Sequence, residues 1–185
     1  FSQSVVPKKH KNGMIGGIRS RLVDYEALLD EAPGVEAMEK LFQRLDGILF
    51  CIKDREGCYL SANDAFLQRA RVEDPCDLIG RTAREFFPQL LAAGYEQQDA
   101  DVIARWEETR DRLEMITNPD GGVGWYLSDK IPIRNRCGHV IGIASMSRDL
   151  HSSSDNDPRY AKLATVIEHM RAHYDKPLRI GRLVT

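Results

Sequence analysis

The side chains of this chain able to carry covalent, acid–base or metal chemistry are its histidines, cysteines and serines. His10, His139, His151, His169 and His173 are scattered along the sequence. His169 and His173 stand four apart, a spacing that sets two imidazoles on one helix face, where a metal can bridge them. No Glu-containing motif or third ligand accompanies them, so they read as solvent-facing helix residues and no metal is expected. Ser145 and Ser147 lack the glycine elbow that exposes a nucleophilic serine. Gly121-Gly122-x-Gly124 sits in a hairpin connection, not between a strand and a helix, so it is no phosphate cradle. Cys51, Cys58, Cys76 and Cys137 form neither a C-x-x-C pair nor a zinc-spaced cluster. Two of them lie in apolar strands as small hydrophobes, and a reducing cytoplasm is expected. The chain is therefore expected not to be an enzyme.

The elements that must position any site follow from composition and pattern. With 185 residues, 42% hydrophobic and 29% charged, the chain reads as one soluble domain plus extra segments. The net charge of −2 gives no global bias toward nucleic acid or anionic membrane. No apolar run approaches the roughly 20 residues of a membrane span. Nothing at the start resembles a signal peptide, and the sequence is expected to be a piece of a longer protein. Residues 1–20 are basic and punctuated by glycine, which suits a flexible solvated arm, with phosphate contact as the alternative. Residues 21–46 hold two amphipathic helices, Arg21 to Ala32 and Val35 to Leu45, separated by Pro33-Gly34.

The first strand, Ile48 to Ile52, ends at Lys53-Asp54. Asp54-Arg55-Glu56-Gly57 is a tight turn, because Asp suits its first position and Gly the angles that a Cβ forbids. Cys58 to Ala62 returns antiparallel, and Asn63 stands where a helix cap belongs. Thr82 and Glu85 are spaced as a capping box. Gln89 to Glu107 has a helical pattern with a strongly polar middle, Glu96 to Asp101. Thr109 to Thr117, Gly124 to Arg134 and Val140 to Ser147 are strands joined by turn-rich hairpins, with Pro132 suited to an edge or bulge. Two strands, short helices and three more strands predict an α+β domain, an antiparallel sheet with helices on one face.

This order resembles a PAS domain, a family that opens with a strand, an Asp-x-x-Gly turn, a strand and an Asn-capped helix. The resemblance covers about residues 41 to 150, with the domain itself placed at 47–150. Beyond the opening it rests on Trp125 before a strand with Pro132, on Gly138-His139-Val140-Ile141-Gly142, and on Ser147-Arg148-Asp149. It implies five antiparallel strands, the N-terminal helices on the outer face of the sheet or on a partner subunit, and a C-terminal helical segment. It also implies a cavity between sheet and helices, for which Phe50, Phe66, Phe86, Ile103, Met115, Trp125 and Ile143 are candidate lining residues, or else simply core. Family members that form a flavin adduct use a Cys in the segment that here reads Gly80-Arg81-Thr82-Ala83-Arg84-Glu85-Phe86. Haem-binding members place an axial His on the long helix, and Gln89 to Glu107 has none. No cofactor is expected; what remains is a small organic effector in an apolar cavity, or no ligand at all.

Residues 151–158, HSSSDNDP, form a linker, with Asp157 as cap and Pro158 at the first helical position. Lys162 to Tyr174 is an amphipathic helix with Leu163, Val166, Ile167, Met170 and Tyr174 on its apolar face. Residues 159–185 resemble the start of an AraC-type helix-turn-helix DNA-binding domain. Ile167, Met170, His173, Tyr174, Pro177, Leu178 and Leu183 match in kind and spacing, while Arg179 and Val184 depart from the pattern. The combined expectation is the part of a dimeric, cytoplasmic transcription regulator that senses a small ligand or mediates dimerisation, and that reaches DNA through a domain mostly absent here. The alternative is a PAS input module of a signalling enzyme such as a histidine kinase, against which Pro177 speaks because it interrupts a continuing helix.

Overall fold

The computed structural model describes residues 25–118, 120–150, 161, 162 and 164–168. The expected basic arm, the linker, every AraC-like position except Ile167, and His10, His151, His169 and His173 lie outside these residues.

The fold is laid down by turns that the sequence encodes residue by residue. Strands β1 (Ile48–Asp54) and β2 (Tyr59–Ala62) meet at the Asp54 turn. There the Asp54 carboxylate accepts from the backbone N–H of Glu56 at 3.0 Å and of Cys58 at 2.8 Å, and Gly57 takes a φ of +81°. The same chemistry recurs between β4 (Val123–Arg134) and β5 (Val140–Asp149), where the Asn135 side chain accepts from Cys137 and His139 N–H, both at 3.0 Å. With β3 (Thr109–Thr117), the five strands pair antiparallel in the order β2-β1-β5-β4-β3. Pro132 pairs with Ile143 of β5 two residues beyond the last β3 partner on β4, Lys130. Its missing N–H is thus asked for by no β3 neighbour, as expected of an edge-like position.

Alternation along the strands gives the sheet two apolar faces, and both are covered. On the inner face lie α3 (Asp64–Ala70), two 3₁₀ turns (Pro75–Asp77 and Ala83–Glu85) and the long helix α4 (Gln89–Arg105). The Thr82–Glu85 capping box forms as its spacing predicts. These elements enclose the main core of Leu49, Cys51, Tyr59, Phe66, Leu67, Leu78, Phe87, Ile116 and Tyr126. On the outer face, α1 (residues 25–31) and α2 (Gly34–Phe42) cover Phe50, Ile52, Leu60, Ile133 and Ala144 with Leu28 and Val35. Phe42 stacks on Phe50 at 4.5 Å between ring centroids. The N-terminal helices therefore pack on their own chain. A third cluster seats Ala164 and Ile167 of the C-terminal helix on Leu127 and Leu150.

Asn63 joins these layers. Its Oδ1 accepts from the N–H groups of Phe50 and Phe66, both at 3.0 Å, so it caps α3 and closes β1. Its Nδ2 donates to the carbonyls of Ile48 at 2.8 Å and Phe42 at 3.1 Å. The side chain is fully used and nearly fully buried, at 1% exposure.

Candidate functional site

A cavity opens between the inner sheet face, α3 and α4, and its free volume is about 40 Å³. Its apolar wall is a chain of rings. Tyr59 meets Phe66 at 5.2 Å, Phe66 meets Phe87 at 6.1 Å, and Phe87 meets Tyr95 at 5.7 Å. Leu49, Cys51 and Ile116 fill between them.

The opposite wall is polar and buried. Lys53 on β1 and Lys130 on β4 both grip Asp99 of α4, each ammonium 2.6 Å from its own carboxylate oxygen. All three side chains are at most 5% exposed. Lys130 also donates to the Tyr95 carbonyl at 3.2 Å, and Lys53 sits 4.6 Å above the Tyr59 ring. Burial opposes ionisation of Asp99, and the two ammonium groups outweigh it, holding its carboxyl below the usual range. Burial works against the charged form of Lys53 as well, but Tyr59 and Asp99 carry its pKa above the usual value. The Cys51 thiol is pushed up to about 11 by burial and stays protonated at neutral pH. Beyond Lys130 stands Glu114 of β3, with Oε1 3.8 Å from the ammonium and Oε2 accepting from Ser128 Oγ at 2.8 Å. Ser128 in turn shares a hydrogen bond with Ser147 at 2.7 Å. Arg69 of α3 stacks on Tyr126 at 4.9 Å and donates to the Thr117 carbonyl and to Asn118.

Of the candidate lining residues, only Phe66 reaches this cavity. Phe50 lies on the outer face against Phe42. Trp125 packs on the outer face beside Leu127, Leu150 and Ile167. Met115 alternates away from the inward Glu114 and Ile116 and is 38% exposed. Phe86 stands behind Tyr59, in edge contact at 6.0 Å, while its neighbour Phe87 forms the wall. Ile103 is half-buried next to the inward Val102 of α4. Ile143 is buried on the inner face, paired with Lys53, but off the cavity wall.

The charged residues were missed because each looked like surface. Lys53 follows Leu49 and Cys51 at steps of two, and Lys130 follows Tyr126 and Ser128 likewise, so strand parity marks both as inward. Asp99 stands four residues after Tyr95, on the same helix face. The polar middle of α4 is thus the face that answers two buried lysines.

Among the described residues, no group of three or more His, Cys, Asp and Glu side chains is placed to hold a metal, and no helix is long and apolar enough to cross a membrane. All four cysteines are free, with Cys51 and Cys58 buried.

Solved structures share this architecture. VqmA from Vibrio cholerae, described as a dimer and among LuxR-type receptors that bind target DNA, is 29% identical, with a TM-score of 0.53 over 62% of this chain and 50% of that one. VqmA bound to DPO is also 29% identical, with a TM-score of 0.53 over 62% of this chain and 56% of that one. A phage VqmA–DPO complex has the same fold at 18% identity and a TM-score of 0.57, over 75% of this chain and 60% of that one. The chain thus spans between half and three-fifths of these relatives' length. No curated protein matches it. The family model for the PAS fold matches residues 42–155, well over half of the sequence, and this agrees with the strand order and the cavity: the chain belongs to the PAS fold family.

Proposed function

We propose that this chain is the sensory and dimerising part of a cytoplasmic, DNA-binding transcription regulator, and that its cavity takes a small organic effector without haem, flavin or metal. The observation that carries the reading is the 29% identity to VqmA, described both bound to DPO and in relation to target DNA. The buried polar wall opposite a wall of rings supports it, since ligand sites set a few polar groups in an apolar surround. We assign the DNA-binding part to the AraC type on the tail residues Ile167, Met170, His173, Tyr174, Pro177, Leu178 and Leu183. Base reading then belongs to residues beyond 185, and effector binding biases how two such domains meet the major groove.

Gel-shift titration of residues 1–185 and of the parent protein tests the division of labour. The parent is expected to select its promoter over random DNA, and the 185-residue chain to bind weakly and without preference. Tight, specific binding by the 185-residue chain, or none by the parent, overturns the reading. Native mass spectrometry of the purified chain is expected to show a dimer and a retained small molecule.

A further inference from the structure

The polar wall of the cavity has a hydrogen-bond imbalance that describes its ligand. Glu114 is buried, its side chain 5% exposed, and it lines the cavity. Ser128 satisfies Oε2, but Oε1 receives no hydrogen bond from any described residue. The nearest cation, Lys130 Nζ, is 3.8 Å away, beyond hydrogen-bond reach. Lys130 spends two of its three N–H donors on Asp99 and the Tyr95 carbonyl. The remaining donor and the orphaned carboxylate oxygen thus stand side by side. A buried charged acceptor left unmade is costly, so the site favours a molecule that completes it.

Charge counting narrows the class. Lys53 and Lys130 balance Asp99 and Glu114. Arg69, the other cation on the wall, is already held by Asn118, the Thr117 carbonyl and the Tyr126 ring. Between Glu114 Oε1 and Lys130 Nζ, 3.8 Å apart, an ionic group of either sign would meet a like charge on one side.

We propose that the cavity selects a small uncharged molecule carrying an N–H or O–H donor for Glu114 Oε1, next to an acceptor for Lys130. This rests on the cavity being a ligand site, as proposed above. A ligand of few heavy atoms suits the limited free volume.

The test is an NMR titration of the 185-residue chain with four probes: pyrazole, isoxazole, acetate and methylammonium. Pyrazole and isoxazole are rings of one size, and only pyrazole has the N–H. Pyrazole is expected to shift the backbone amides of Glu114, Ser128 and Lys130 and to bind about tenfold or more tightly than isoxazole, as for a hydrogen bond to a charged group. Acetate and methylammonium are expected to bind more weakly than pyrazole. In Glu114→Met, checked for folding by its own spectrum, the preference for pyrazole is expected to vanish. Equal binding of pyrazole and isoxazole by the unaltered chain, or tighter binding of acetate or methylammonium, overturns this proposal while the cavity stays a ligand site. Failure of every probe to move the cavity amides overturns both.

Discussion

Replacing Asp99 by Ala strands two buried ammonium groups at once. Lys53 and Lys130 each lose an ion pair of 2.6 Å in surroundings where they are at most 5% exposed. Removing one partner of a buried pair costs about 3–5 kcal/mol, because the remaining charge is left uncompensated. For a protein of this size each kcal/mol lowers Tm by about 2–4 °C, so a fall of about 6–20 °C is expected. The two lysines are not equivalent. Among the described residues, Lys130 keeps the Tyr95 carbonyl and the nearby Glu114, whereas Lys53 keeps only the Tyr59 ring. Adding Lys53→Met to Asp99→Ala therefore removes the worse-stranded charge, and the double variant is expected to be more stable than Asp99→Ala alone, with a coupling of at least about 1 kcal/mol. Urea unfolding at pH 7, followed by circular dichroism on all four species, measures this. Loss of under 1 kcal/mol in Asp99→Ala, or simple additivity in the double variant, refutes the argument that these charges depend on one another.

The same cluster sets a pH window. The Asp99 pKa is lowered by folding, so its contribution is present above the unfolded carboxyl value, about 3.9, and is lost as pH falls through its lower folded value. The Lys53 pKa is raised, so its contribution is full below the unfolded lysine value, about 10.4, and is lost only at higher pH. Urea midpoints of the native chain relative to Asp99→Ala/Lys53→Met are expected to differ by a constant amount from pH 5 to 9 and to converge on acidification. A difference that shrinks between pH 6 and 8 counts against this ionisation scheme. Asn63→Ala is expected to cost about 2–4 kcal/mol, since it removes a cap and strands buried backbone groups of β1. Asn63→Asp, an equally good cap in general, is expected to lose nearly as much in the same unfolding assay, because a carboxylate oxygen would face the Ile48 and Phe42 carbonyls. Gly142→Ala is expected to destabilise by about 1–3 kcal/mol, the usual range for overpacking. Its Cβ would stand 2.6 Å from the Lys53 carbonyl oxygen and 3.0 Å from Leu28, so a thermal melt indistinguishable from the parent's would refute the close approach of β1 and α1 to this glycine.

The fold was legible because its punctuation is local. The Asp54 and Asn135 side chains close their turns with bonds to residues two and four ahead, and Asn63 caps a helix three residues on, so each signal needs only its own neighbourhood. The cavity was not legible by the same route. Choosing the largest apolar side chains selected Phe50, Met115, Trp125 and Phe86, each one residue away from a true wall residue: Leu49 and Cys51, Glu114 and Ile116, Tyr126 of the inner core, and Phe87. In a strand one step exchanges the faces entirely. Size misled because the outer face is as apolar as the inner one and the inner one carries the charges. A hydrophobic ranking cannot find a wall that carries Lys53, Glu114 and Lys130, whose burial rests on partners distant in sequence such as Asp99 and Ser128.

Strand β4 presents Ser128 to Glu114 on the inner face and Leu127 to the C-terminal helix, on consecutive residues. The peptide unit between them is stiff, and the strand is laced to a neighbour on either edge, so neither residue can travel far without the other. The sheet here is a partition one backbone thick. Repacking against Glu114 on one side bears at once on the seat of Ala164 and Ile167 on the other, with no intervening layer to absorb the strain.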